Sequence, residues 1–259
     1  MMKKRNAEGN MEKQRIGAGL FIVREDARRD LLGTLRKIRD IGFDGAELLG
    51  FFGAEPARLA DMLGELGLAA LGNHVPVGDV LADPDAVIRA HEAIGCARIT
   101  LSVPREGAAE RFGEIAAELA EAARLLVTAG IAPMYHNHDF DMAGDAPLAA
   151  RFLDEVPALR FEPDVGWMTV AGKNPADYLQ RYRSRIPVVH LKDVFVGESG
   201  FSFRPTGYGT VNTPALLPAI HACEPEWLMV DHDLAYGRDS YGDLALSLSY
   251  VKDLLRVAE

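Results

Sequence analysis

The chain has 259 residues, 48% of them apolar and 25% charged, and its 28 basic against 38 acidic side chains leave a net charge of −10. That composition excludes a disordered chain and a collagen-like repeat, and two cysteines, Cys96 and Cys223, are too few for a disulfide framework. The acidic balance argues against a nucleic-acid backbone as partner, and no apolar run approaches the ~18 residues of a membrane span. The expectation is a single-core cytoplasmic protein with neither a nucleic-acid nor a membrane partner.

Residues 1–14 are polar, with Lys3, Lys4, Arg5 and Lys13, and read as a disordered leader to one domain over residues 15–259. Beyond the leader, short apolar runs alternate with longer stretches of helical period. Strands are expected at 16–23, 45–49, 69–73, 98–103, 131–136, 159–164, 188–191 and 228–231. Helices are expected at 31–41, 56–66, 84–94, 108–129, 147–155, 175–183, 214–223 and 244–257, several opening on Pro, which suits a first helical turn. Ile41-Gly42, Leu66-Gly67, Ile94-Gly95 and Ala129-Gly130 repeat one punctuation, an apolar residue and then the glycine of a left-handed helix cap. Residues 195–208 form the longest connection and read as a lid, with Arg204 as a contact for an anionic substrate group. Eight strand–helix units and no Gly-rich phosphate turn point to a (β/α)8 TIM barrel, an α/β fold in a single domain.

Such a barrel places its chemistry at the C-terminal ends of the strands. Those ends carry Glu47, His74, His136, His138, Asp164, His190, Lys192, Asp231 and Asp233. Asp164, His190 and Asp231, with His136 or His138, offer carboxylates and imidazoles suited to one divalent ion, Mn²⁺, Zn²⁺, Co²⁺ or Fe²⁺ in preference to Mg²⁺. An ion there would favour proton loss next to a carbonyl. Whichever of His136 and His138 is not a ligand would be the base, and Lys192 would steady the developing oxyanion. Glu47, His74, Trp167 and Arg204 would contact substrate. His91 and His221 fall on helices and read as solvent-facing.

Three stretches, 33–47 ending in Gly45-Ala46-Glu47, then Tyr135-His136-Asn137-His138-Asp139-Phe140, and Asp164-Val165-Gly166-Trp167 with Ala171-Gly172, resemble the sugar phosphate isomerase/epimerase superfamily of xylose isomerase-like barrels. His190-Leu191-Lys192-Asp193 and Gly207-Tyr208-Gly209 extend the likeness over nearly the whole chain. The resemblance implies metal ligands at Asp164 and His190. It also puts His136 where the family has a strand-five Glu, and Asp231 where it has a strand-eight Glu. It implies a metal-dependent isomerase or epimerase of a sugar, sugar phosphate or keto-sugar. A dehydratase of an inosose-type substrate is the alternative, and a non-catalytic carbohydrate-binding barrel a second. The partner would be a carbohydrate or cyclitol, and the assembly a homodimer or homotetramer.

Overall fold

The computed structural model describes residues 14–198 and 200–257. Of the expected leader, residues 1–13 lie outside the described residues. Gln14 donates from Nε2 to the carbonyl oxygens of Pro225 and Glu226 at 3.3 Å.

Eight parallel strands form the barrel: β1 Arg15–Gly19, β2 Gly45–Leu49, β3 Ala69–Pro76, β4 Arg98–Ser102, β5 Ala132–His136, β6 Arg160–Glu162, β7 Val188–His190 and, after a hairpin, β10 Trp227–Val230. Their order is β6-β5-β4-β3-β2-β1-β10-β7. The two ends of that order meet through one parallel bridge, Asp164 with His190, where the His190 N–H donates to Pro163 O at 2.9 Å. The expected barrel is therefore present, and its closing seam runs through two of the expected site residues.

The glycine punctuation is borne out: Gly42, Gly67, Gly95 and Gly130 all have positive φ, the left-handed conformation that a Cβ disfavours. The first strand stops at Gly19 rather than 23, because Leu20–Val23 coils into a 3₁₀ turn that buries Leu20 and Val23 three residues apart. An unbroken apolar run carries no period to mark that switch. The expected lid over 195–208 is instead largely an antiparallel hairpin, β8 Asp193–Gly197 with β9 Gly200–Arg204. A buried Asp193 carboxylate anchors it by accepting the backbone N–H groups of Val194, Gly207, Gly209 and Val211 at 2.8–3.1 Å. His91, expected at the surface, is 1% exposed. Its Nδ1 donates to Val87 O at 2.7 Å and its Nε2 accepts from Asn73 Nδ2 at 3.0 Å, while Asn73 Oδ1 accepts the Gly50 N–H at the end of β2. Among the described residues no helix is long and apolar enough to cross a membrane.

Strand pleat then fixes the layers inside the barrel. Leu71, Met134, Val188, Trp227 and Met229 form a separate buried cluster. The Trp227 indole fits because Gly45 has no side chain there: a Cβ would lie 2.9 Å from the ring and 2.7 Å from Ala69 O. Two residues further along, on the same face of each strand, Gly45 gives way to Glu47, Met134 to His136, Arg160 to Glu162, Val188 to His190 and Met229 to Asp231. An apolar floor thus carries a polar layer at the C-terminal end.

Candidate active site

His190 sits at the centre of that layer, 1% exposed. Its Nε2 lies 3.3 Å from Glu162 Oε1 and 3.4 Å from Glu47 Oε2, and its Nδ1 lies 3.3 Å from Asp231 Oδ2 and 3.9 Å from Asp164 Oδ2. His74, reached by the register shift where β3 pairs with Glu47, places Nε2 3.0 Å from Glu47 Oε2 and 3.8 Å from Glu162 Oε2. The other Glu162 oxygen has no hydrogen-bond partner, because only Oε2 accepts from Thr100 Oγ1 (2.7 Å). Asp164 caps the helix Val165–Val170 with Oδ1, accepting the Trp167 N–H at 2.8 Å. Asn137 clasps the Asp164 backbone from β5 through two hydrogen bonds, at 2.9 and 3.3 Å.

Lys192 is buried, and its Nζ lies 2.8 Å from Asp231 Oδ2, 2.8 Å from Asp233 Oδ1 and 3.0 Å from Asp164 Oδ2. Three carboxylates thus surround one ammonium within ion-pair distance. Lys192 is therefore a fixed counter-charge, whereas the sequence suggested a free oxyanion donor. The Trp167 ring covers it at 4.7 Å, and Phe201 and Phe203 of the hairpin pack edge-on against that indole.

Electrostatics divide the groups. Burial would raise the Glu47 carboxyl, but the neighbouring His74 and His190 outweigh it and hold it well below the usual carboxylate range. Burial and the Glu47 charge push Glu162 up. Burial lifts Asp164 to about 6 against the pull of Lys192. His190 is raised well above an ordinary imidazole, the Glu47 and Glu162 charges overcoming burial. Burial pushes His136 well down, the other histidines adding to it, and burial with Lys192 takes His138 to about 3. Both rings are neutral at pH 7.

Two groups can present donor atoms within 4.8 Å of one another: Glu47, His74, Glu162 and His190, and His136, Asp164 and His190. Asp231, expected as a ligand, belongs to neither. His138 lies beside His136 with ring centroids 4.7 Å apart, and both line a small pocket of about 20 Å³ with His74, Thr100, Ser102 and Phe140. Arg204 is not brought to this cluster: its guanidinium donates to Phe203 O at 2.9 Å and lies 5.8 Å from the Phe195 ring. Glu162 escaped the sequence reading, although it stands two residues before Asp164, and strand alternation alone turns it inward.

The family described as xylose isomerase-like TIM barrel matches residues 35–236. Among solved structures, a sugar phosphate isomerase/epimerase from Parabacteroides distasonis superposes with a TM-score of 0.78 at 15% identity, covering 97% of this chain and 98% of that one. A probable 3-DHS dehydratase from Bacillus anthracis gives 0.73 at 14% identity, with 92% and 99% covered. The IOLI protein with a bound zinc atom gives 0.74 at 12% identity, with 93% and 98% covered. A comparison with curated protein sequences finds no significant match.

Proposed function

The chain belongs to the xylose isomerase-like TIM barrel family, and from that premise we propose that it is a divalent-metal-dependent isomerase or epimerase of a sugar, sugar phosphate or keto-sugar. The observation that carries this reading is the set of buried atoms without hydrogen-bond partners at the strand ends: Glu47 Oε1, His136 Nδ1, Glu162 Oε1, Asp164 Oδ2 and His190 Nε2. Buried polar atoms are seldom left unpaired, and this mixture of carboxylate oxygen and imidazole nitrogen suits Mn²⁺, Fe²⁺, Co²⁺ or Zn²⁺. The two groups that share His190 would hold the ion, which supplies when bound a positive charge that polarises a substrate carbonyl.

The protein's own groups do the rest. The small pocket beside His74, His136, His138 and Phe140 marks where the substrate would enter, and its walls must part to admit a sugar. His138 is neutral and lines that pocket, so its ring can take the proton from the carbon next to the carbonyl. The cations that depress its basicity are opposed, as that proton leaves, by the negative charge appearing on the substrate. Trp167 and the hairpin close the Lys192 side against water. Return of the proton to another carbon gives an isomer, and its return to the opposite face an epimer.

The test is deuterium incorporation from solvent into a panel of ketoses, keto-sugars and inososes, with chelated and metal-reloaded protein. Metal-dependent uptake at the carbon next to the carbonyl, with a mass-neutral product, is expected. Loss of water from the product would assign the dehydratase reading, which shares the first step. No exchange on any panel member with an ion bound would overturn the catalytic reading.

A further inference from the structure

The two nitrogens of His190 face two different groups of carboxylates, and the two sides are not equivalent. On the Nδ1 side stand Asp231 and Asp164, and between them lies the Lys192 ammonium, within 3.0 Å of both. Asp164 Oδ2 has no hydrogen-bond partner there either, but a divalent ion would crowd the buried ammonium that already neutralises both carboxylates at 2.8–3.0 Å. On the Nε2 side stand Glu47, Glu162 and His74, where Glu47 Oε1, Glu162 Oε1 and His190 Nε2 are buried with no hydrogen-bond partner. In the neutral ring that a bound ion requires, the 3.3 Å contact between Nδ1 and Asp231 Oδ2 would keep the proton on Nδ1 and leave Nε2, which faces Glu47 and Glu162, as the ligating nitrogen. A carboxylate behind the far nitrogen of a ligating histidine is a recurrent device for orienting the ring and raising its basicity.

We infer that the ion is held on the Nε2 side of His190, by Glu47, His74, Glu162 and His190, and that Asp231, itself fixed by Lys192, positions the ring without touching the ion. This assignment rests on the metal dependence proposed above but departs from the ligand set the sequence suggested, in which His136, Asp164 and Asp231 join His190. His136 then lines the substrate pocket, Asp164 stays paired with Lys192, and Asp231 is a positioning residue.

Chelator-dialysed protein titrated with Co²⁺ tests it, with stoichiometry read by elemental analysis and affinity by competition. Glu162→Gln and Glu47→Gln are each expected to weaken binding about 100-fold or more. Asp231→Asn is expected to weaken it about 10- to 100-fold while one ion still binds at saturation. His136→Gln should leave affinity within about threefold of the parent, since its ring lies outside the ligand set. The cobalt-loaded parent gives a second readout that needs no core substitution. The Nδ1–H of His190 should appear as a paramagnetically shifted, slowly exchanging proton, and Asp231→Asn should speed its exchange without abolishing it. Loss of binding in His136→Gln with retention in Glu162→Gln would overturn the assignment while leaving metal dependence standing. Failure of the parent to bind any of Mn²⁺, Fe²⁺, Co²⁺ or Zn²⁺ would overturn both.

Discussion

His138 and His91 show how the same ring takes opposite roles according to what surrounds it. His138 is kept neutral beside a small pocket, so His138→Ala should reduce solvent exchange about 10²- to 10⁴-fold while metal content stays at the parent level. His91 is kept neutral in a closed network, where burial lowers its pKa below the ordinary 6.5 against a smaller opposing effect of the Val87 carbonyl. A histidine whose folded pKa is depressed stabilises the fold fully above the unfolded value, and that contribution is lost as pH falls below it. Charging the ring would also set an Nε2–H against the Asn73 amide that now donates to it. Urea unfolding at about pH 7.5 and about pH 5 should therefore show a larger loss in the parent than in His91→Gln. The strand-end histidines were legible from sequence because barrel topology names the end where chemistry collects. His91 was not, because one histidine on a helix gives no sign of which way it faces.

At the scale of elements, the alternation of β and α and the repeated glycine caps marked nearly every unit of the barrel. What they did not mark were local events decided by tertiary packing: the 3₁₀ turn after β1, the extension of β3 to Pro76 and the hairpin β8–β9. In the hairpin, Asp193 was readable only as a neighbour of Lys192, yet it gathers four backbone N–H groups from residues up to 18 positions away. Asp193→Ala should leave those four donors without their acceptor and cost on the order of 4 kcal/mol, taking about 1 kcal/mol for each donor that water partly recovers. Because the hairpin carries Phe201 and Phe203 onto Trp167, the same variant should raise KM more than it lowers kcat. Parallel urea denaturation and steady-state kinetics check both.

For the whole molecule, an ion that binds the folded barrel and not the unfolded chain adds stability by mass action. At a hundred times its Kd this amounts to about 2.7 kcal/mol. A chain of this size gains about 2–4 °C per kcal/mol, so saturating Co²⁺ or Mn²⁺ should raise Tm by about 5–10 °C, and a chelator should reverse it. Scanning calorimetry of the chelated and reloaded protein measures this directly. The sequence places the proposed ion on the barrel axis but not on a side of His190, since that choice depends on where Lys192 delivers its charge.

The joint between β6 and β7 has a consequence of its own. Elsewhere the staves are laced by three or more paired residues, but here the circle is completed by the single Asp164–His190 bridge. The spacing between the two sides of the ligand cage is therefore set by how tightly the cylinder is hooped. Any breathing of that joint would move His190 relative to Glu162 and loosen the grip on the proposed ion, and an ion bound there would in turn cinch the joint. Amide exchange at His190, whose N–H spans the gap to Pro163, should accordingly slow when the ion is bound, so that one hydrogen bond reports whether the vessel is shut.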